Sequence, residues 1–267
     1  MSAPHRRRRP PGDRGGGEGD ALGGEQVEGR RAVRELLVAG RRRVRQVWLA
    51  EGTDPSPVLR EIASVAAARR VALRTVSREQ LGAVARTDSH QGVVARAEPV
   101  PEADLDELCQ TTGPPPFLVG LDGVTDPHNL GAVLRTALGA GATGAVLPRH
   151  RAVHLTPAAT KAAAGAVEHL PLAVVPGLPA ALRVMRDHGV WTVGLDAAGR
   201  QSIYGLDLVT EPVVLVLGSE GTGLSRLVRE RCDVVAVVPQ HGPLGSLNVA
   251  AAAAVGCFEV ARHRSGA

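Results

Sequence analysis

Three stretches of this 267-residue chain combine side chains and glycines that chemistry could use. The first is Asp122-Gly-Val-Thr-Asp-Pro-His-Asn-Leu-Gly-Ala-Val-Leu-Arg135, which sets the amide of Asn129 and the guanidinium of Arg135 on one helix. Asp126 followed by Pro127 is a favoured helix opening, the Asp capping and the Pro standing at the first helical position. Leu130, Val133, Leu134, Ala137 and Leu138 form an apolar face, and Asn129 and Arg135 lie off it. Both are therefore either solvated or turned toward a ligand at the carboxyl end of a strand, where open α/β sheets bind. The second stretch, Val213-Val-Leu-Val-Leu-Gly218-Ser-Glu220-Gly221-Thr-Gly223-Leu224-Ser225, is an apolar strand feeding a glycine-rich turn. Such a turn brings backbone N–H groups close to a ligand, or simply joins a strand to a helix. Leu224 stands where a phosphate-binding loop needs lysine, and Glu220 would repel a triphosphate. The third stretch runs from Val237-Val238-Pro239-Gln240-His241-Gly242 to Gly245-Ser246-Leu247-Asn248-Val249-Ala250 and into an alanine-rich helix. Ser246 is the expected N-cap of that helix. Its hydroxyl and Asn248 at a helix N-terminus can receive an anion such as an RNA phosphate. His128 and His241 read as loop histidines, since neither has a carboxylate beside it in sequence.

The elements that must position these stretches alternate between strand and helix. Apolar strand candidates fall at 117–121, 145–147, 170–175, 190–195, 213–217 and 234–238, with helical segments between most of them. Continuous apolar strands separated by helices indicate a parallel sheet covered on both faces. Upstream, strands at 44–50, 71–76 and 92–95 alternate with helices at 58–69 and 79–85, and Val33, Leu36 and Leu37 have helical spacing. The chain thus divides into a basic, Gly-rich tail (1–25), a small α/β domain (26–97), a Pro-rich linker (98–116) and a larger α/β domain (117–267). The run Arg41, Arg42, Arg43 and Arg45 before a strand is placed either to touch RNA phosphate or to be a solvated turn.

Composition narrows the class. A hydrophobic content of 44% supports one large or two small cores, and no apolar run reaches membrane-spanning length. The arginine-rich start has no apolar stretch behind it and is not a secretory signal. Cys109, Cys232 and Cys257 are far apart, so neither a disulfide framework nor a metal site is expected, and a reducing cytoplasm fits. The formal charge is +4 and Lys161 is the only lysine among the cations, a bias that suits bidentate phosphate contacts. Five aromatic residues in the whole chain argue against a base-stacking platform.

The three stretches, in this order, resemble the three motifs of the SpoU (TrmH) family of RNA 2′-O-ribose methyltransferases over about residues 117–263. Asn129 and Arg135 correspond to the first motif. Gly218, Glu220 and Gly221 correspond to the second, and Ser246 through Val249 to the third. The segments Val27-Glu-Gly-Arg-Arg-Ala-Val-Arg-Glu-Leu-Leu37 and Ser89-His-Gln-Gly-Val-Val-Ala95 resemble the RNA-binding extension of members that methylate a guanosine ribose in 23S ribosomal RNA. The resemblance implies a knotted (trefoil) parallel-sheet methyltransferase domain, a homodimer and ribosomal RNA as partner. It implies S-adenosylmethionine as cofactor, held by Gly218, Gly221, Val238 and Leu247, with no metal. It also implies Arg135, Asn129, Glu220, Ser246 and Asn248 as the catalytic and RNA-facing residues. Gln240 and His241 replace the family's usual methionine and small residue, and Ala250 replaces a serine.

Methyl transfer is an in-line displacement, so the ribose oxygen has to be aligned and made nucleophilic. A guanidinium does not deprotonate near neutrality, and Arg135 is therefore expected to position the hydroxyl and adjacent phosphate and to stabilise the forming alkoxide. A deprotonated Arg135 is the second choice. Asn129 is expected to orient Arg135 or the ribose, Glu220 to pair with Arg135 or RNA-facing groups. Rival readings are a transfer-RNA methyltransferase, a methylase protecting ribosomal RNA from an antibiotic, and an RNA-binding protein without catalysis. A dinucleotide-dependent oxidoreductase lacks its glycine fingerprint here.

Overall fold

A computed structural model describes residues 22–54, 56–88, 90–110, 113–149, 155–243 and 245–266. The first 21 residues of the tail, and Ser89 of the upstream resemblance, lie outside the described residues.

The N-terminal unit is a four-stranded sheet, β1 (Gln26–Glu28), β2 (Val44–Ala50), β3 (Ala72–Val76) and β4 (Val93–Ala97), in the order β1-β4-β2-β3. Strands β2 and β3 are parallel, while β4 runs antiparallel to both β1 and β2. Helices α1 (Arg30–Ala39), α2 (Pro57–Ala68) and α3 (Arg78–Val84) connect them. The helical spacing of Val33, Leu36 and Leu37 places all three in the core of this sheet. Helix α2 opens on the Ser56 hydroxyl, which accepts from Leu59 N–H at 3.3 Å. Helix α3 opens on a reciprocal Ser77–Gln80 capping box.

Residues 98–116 are more than a tether. They contain helix α4 (Leu105–Cys109), capped by Asp104, and Leu108 and Cys109 are buried in the core of the second sheet.

That second sheet has seven parallel strands: β5 (Phe117–Asp122), β6 (Gly144–Pro148), β7 (Leu172–Val175), β8 (Trp191–Leu195), β9 (Gln201–Ser202), β10 (Val213–Gly218) and β11 (Val234–Val237). Their order is β7-β6-β5-β10-β8-β11-β9, so β10 lies between β5 and β8. Helices α5 (Pro127–Gly139), α6 (Pro157–Ala162) and α9 (Val249–Ser265) cover one face; α7 (Leu178–Asp187) and α8 (Arg226–Arg231), with α4, cover the other. Successive residues of a strand face opposite sides. In β10 this sends Val213, Leu215 and Leu217 toward α5 and α9, and Val214 and Val216 toward α7 and α8. Helices α5 and α6 meet at Gly131, where a Cβ would stand 2.5 Å from the Ala159 carbonyl oxygen.

The two units are joined by a buried ion pair. Arg42 Nε and Nη2 donate to the two carboxylate oxygens of Glu168 at 3.0 and 2.7 Å, with both side chains 2% exposed. This corrects the reading of Arg42 as an RNA contact: its guanidinium is consumed inside the protein, and Arg41 donates to the Glu168 carbonyl. Arg45 pairs with Glu25 at 3.6 Å, and Arg43 is exposed with neither a side-chain hydrogen bond nor an ion pair among the described residues.

Candidate functional site

The site forms at the carboxyl ends of β5, β10, β8 and β11. The parallel register sets Gly218 beside Asp122, Leu217 beside Leu195, and Leu195 beside Ala236, so four connecting segments leave the sheet at one level.

The loop after β10 closes on itself, with Ser219 N–H donating to the Gly223 carbonyl at 3.1 Å and Gly223 N–H returning to Ser219 at 3.0 Å. A Cβ on Gly218 would fall 2.2 Å from the Gly223 carbonyl carbon, so only glycine lets the chain double back there. Gly221 sits at φ +81° with open space on the Cβ side, a position where a ligand can approach the backbone. Two carboxylates anchor the loop. Asp122 Oδ2 accepts from Ser225 N–H at 2.6 Å. Asp196, at the end of β8, accepts from Leu224 N–H at 2.9 Å, Ala198 N–H at 2.9 Å and Arg229 at 2.8 Å. Burial works to raise the Asp196 carboxyl, but these N–H donors and the Arg229 guanidinium outweigh it and hold it below the usual carboxylate value.

The third segment follows β11. Val238 is buried, and the described residues from Pro239 to Asn248 are exposed. The N-cap of α9 is Asn248, not Ser246: Asn248 Oδ1 accepts from Ala250 N–H at 2.9 Å and Ala251 N–H at 3.4 Å. The buried Val249 fixes where the helix begins, and the residue immediately before it takes the cap. Ser246, three residues before the first helical residue, is exposed and makes no hydrogen bond among the described residues.

Asn248 links the three motifs. Its Nδ2 donates to Asn129 Oδ1 at 3.2 Å and also to Glu220 Oε1. Asn129 is itself fixed in the first turn of α5, its N–H donating to the capping Asp126 at 2.8 Å. Behind this cluster lies a pocket with apolar walls from Leu195, Leu217, Val238, Leu247 and Val249 and a rim of loop backbone from Gly218 to Gly223. Ser246, Leu247, Val238, Gly218 and Gly221 all line it. Flat apolar walls beside exposed peptide groups suit a heteroaromatic ring carrying a polar, partly cationic tail, and Glu220 supplies negative charge at the rim. The residues present therefore fit S-adenosylmethionine.

Arg135 is elsewhere. It lies nearly two turns beyond Asn129 on α5, exposed and without a hydrogen bond or ion pair among the described residues. It does not pair with Glu220, whose carboxylate accepts from Asn248 instead. Arg135 lines a second, wider cleft between α5, α6 and the small sheet. His128 and His241 are exposed loop or first-turn side chains. Among the described residues no group of three or more His, Cys, Asp or Glu could hold a metal. Burial pushes the thiols of Cys109, Cys232 and Cys257 up to about 11, 12 and 12, so none supplies a thiolate near neutrality.

Sequence reasoning passed over Asp196 and the anchoring role of Asp122. The only signal either carried is an acidic residue at the last position of an apolar strand or just after it, where a carboxylate meets a loop rather than the core.

Comparison with known proteins agrees with this arrangement. Residues 116–258, over half the chain, match the model of the SpoU rRNA Methylase family. Residues 26–103 match the family described as RNA 2′-O ribose methyltransferase substrate binding. The 23S rRNA (guanosine-2′-O-)-methyltransferase RlmB of Pseudomonas putida is 42% identical over 243 residues, covering 90% of this chain and 97% of that one. Among solved structures, the SpoU methyltransferase AviRb of Streptomyces viridochromogenes in complex with AdoMet superposes with a TM-score of 0.74 at 26% identity, covering 91% of each chain. An AdoMet-bound rRNA methyltransferase from Sinorhizobium meliloti gives a TM-score of 0.74 at 28% identity, covering 90% of this chain and 87% of that one.

Proposed function

The chain belongs to the SpoU rRNA methylase family, and from that premise we propose that it methylates the 2′-hydroxyl of a guanosine ribose in 23S ribosomal RNA. The observation that carries the reading is the Asn248 amide joining Asn129 and Glu220 at the mouth of the glycine-lined pocket.

Bound in that pocket, S-adenosylmethionine supplies an electrophilic methyl group on a sulfonium centre. Gly218 and Gly221 let the loop backbone approach it, and Val238 and Leu247 shield it from water. Asn129 and Glu220, held by Asn248, orient the ribose hydroxyls at the pocket mouth. Arg135 engages the RNA from the cleft side and positions the phosphate beside the target ribose, while the ribose hydroxyl loses its proton to solvent water at the pocket mouth. A guanidinium is suited to that role and unsuited to taking the proton itself. The Ser246 hydroxyl, free ahead of the positive end of α9, receives an RNA phosphate.

The reading extends to domain roles: residues 26–97 recognise RNA and residues 117–267 carry the transfer, as a homodimer in the cytoplasm. Phe258, 53% exposed on α9 and 4.0 Å from a Cβ built on Gly139, offers apolar surface for the second copy. The trefoil knot is part of the same proposal, supported by β10 lying between strands made earlier in the chain and α9 packed back across α5. The test is to incubate the protein with labelled S-adenosylmethionine and either unmodified 23S rRNA or transfer RNA, then map 2′-O-methyl sites. A single guanosine site in the 23S rRNA is expected; methyl placed only on transfer RNA would overturn the substrate assignment.

A further inference from the structure

The cleft that Arg135 lines is separate from the cofactor pocket and has a volume of about 950 Å³. Its walls come from both units. Arg30 and Arg31 lie in the first turn of α1, Arg78 opens α3, and Arg135 and Lys161 project from α5 and α6. Three carboxylates also line it: Glu28, Asp54 and Asp88. Glu28 is fully buried and already occupied, accepting from Gln26, from Arg86 N–H and from the N–H and hydroxyl of Thr87.

Several arginines outside the cleft are neutralised by acidic side chains. Arg34, Arg42, Arg186 and Arg229 each meet a carboxylate. In the cleft, Arg30 donates to the Gln91 carbonyl at 3.1 Å and Arg78 to the Gly52 carbonyl at 2.8 Å, contacts that orient the guanidinium without neutralising it. Arg31 and Arg135 are exposed and have neither hydrogen bond nor ion pair among the described residues. Guanidinium groups converge here from two units and outnumber the two carboxylates, Asp54 and Asp88, that remain open to the cleft, a balance that suits a polyanion. Apart from His90, the described lining carries no aromatic ring, so the cleft offers chiefly phosphate and sugar contacts rather than a base-stacking platform.

We propose that this interdomain cleft holds the sugar–phosphate backbone of the RNA strand flanking the target ribose, with Arg31 and Arg78 as its principal phosphate contacts. The proposal rests on the functional reading above and adds the path of the strand. Asn129 and Arg135 share α5 and are separated by about 9 Å along its axis at 1.5 Å per residue. A strand whose target ribose sits at the Asn129–Asn248–Glu220 cluster therefore continues along α5 into the cleft. The small domain thus contributes one wall of the substrate channel, and the exposed Arg43 lies outside it.

The test uses the full chain, unmodified 23S rRNA transcript, and a double variant Arg31→Ala/Arg78→Ala, with Arg31→Glu alone as a second variant and Arg43→Ala as a control outside the cleft. Binding is measured against salt concentration, and transfer is measured separately. The double variant is expected to bind the transcript at least about tenfold more weakly, with the salt slope reduced by about 1.4 for two lost contacts to a single strand. The Michaelis constant for RNA rises in step, while S-adenosylmethionine affinity and the melting temperature stay at the parent values. If the double variant melts early, Arg31→Glu, at an exposed position with no partner to lose, carries the test. RNA affinity and salt slope unchanged in the cleft variants, or lowered equally by Arg43→Ala, would overturn the proposal. That includes the case of a cleft that takes an acidic protein segment. A parent protein that binds RNA through the cleft but methylates none would sink the functional reading and leave the cleft standing.

Discussion

Asn248 and Asn129, one from the last motif and one from the first, meet through a 3.2 Å hydrogen bond in which Nδ2 of Asn248 is the donor. The other end of the same amide caps α9, so the side chain cannot rotate without giving up either the cap or the link to Asn129 and Glu220. The two roles separate by substitution. Asn248→Asp keeps a capping oxygen but sets a carboxylate against Glu220. Its melting temperature should stay close to the parent's while transfer falls at least about 30-fold, roughly 2 kcal/mol of barrier. Asn248→Ala should lose activity and also about 1 kcal/mol of cap, or about 2–4 °C of melting temperature. Thermal melts beside a transfer assay check both; full activity in the Asp variant would remove Asn248 from the site.

Arg135 is exposed and has no partner among the described residues, so its removal should leave the fold intact. Arg135→Ala is expected to lower transfer at least about 100-fold, near 3 kcal/mol, with cofactor affinity within about twofold of the parent. Activity within about threefold would remove Arg135 from the reaction.

Asp196 predicts a pH dependence. Its carboxyl is held below the ordinary 3.8 because backbone and Arg229 donors outweigh the burial that would raise it. A carboxyl depressed on folding contributes stability above its unfolded value and loses it as pH falls through the folded one. Cofactor affinity should therefore be flat from neutrality to about pH 4 and decline below that. Asp196→Asn should weaken binding about tenfold at pH 7 and abolish this part of the acid decline. Calorimetric titrations of both proteins across the range provide the comparison, and parallel curves would refute the assignment.

Gly218→Ala tests the doubled-back loop. The added methyl carbon would lie 2.2 Å from the Gly223 carbonyl carbon, which backbone cannot accommodate without opening the turn. Cofactor binding should be undetectable at ten times the parent dissociation constant. Retained binding would show that the loop can open elsewhere.

The Arg42–Glu168 pair predicts a stability asymmetry. Breaking a buried pair by removing one partner costs about 3–5 kcal/mol, whereas replacing both with apolar groups is often neutral. Glu168→Gln should melt well below the parent, and Arg42→Met/Glu168→Leu should recover most of the loss.

The central strands were legible because each is a continuous apolar run flanked by helical spacing, as in Val213-Val-Leu-Val-Leu. Strands β1 and β9 were not, because three and two residues carry no period to read. The partner of Arg42 stands 126 positions away, so a charge run that looks solvated gave no hint of burial. Ser246 and Asn248 both suit a cap, and the choice between them depended on which residue packing made the first of the helix. Helix α4 was hidden by the prolines around it, although Leu108 and Cys109 fill the second core. A fragment beginning at residue 113 would strip that helix away, so residues 98–267 are the better span for isolating the transfer domain. The motif residues themselves were readable, but their grouping was not. The spacing gave no sign that Asn129, Glu220 and Asn248 would meet while Arg135 faced a different cleft.

Strand β10 pairs with β5 on one side and β8 on the other, although β5 precedes it by nearly a hundred residues. During synthesis at about 5–20 residues per second, the edge of β5 waits roughly 5–20 s for its neighbour. For that interval β5 presents unpaired peptide groups and the apolar side chains of Phe117, Leu118 and Val119. The nascent chain is therefore exposed to aggregation until residue 218 has emerged and inserted, and the first motif acquires its cofactor loop in that same late step. Folding of this protein should be slow, dominated by contacts distant in sequence, and dependent on protection of the first half of the sheet by a chaperone or the ribosome surface.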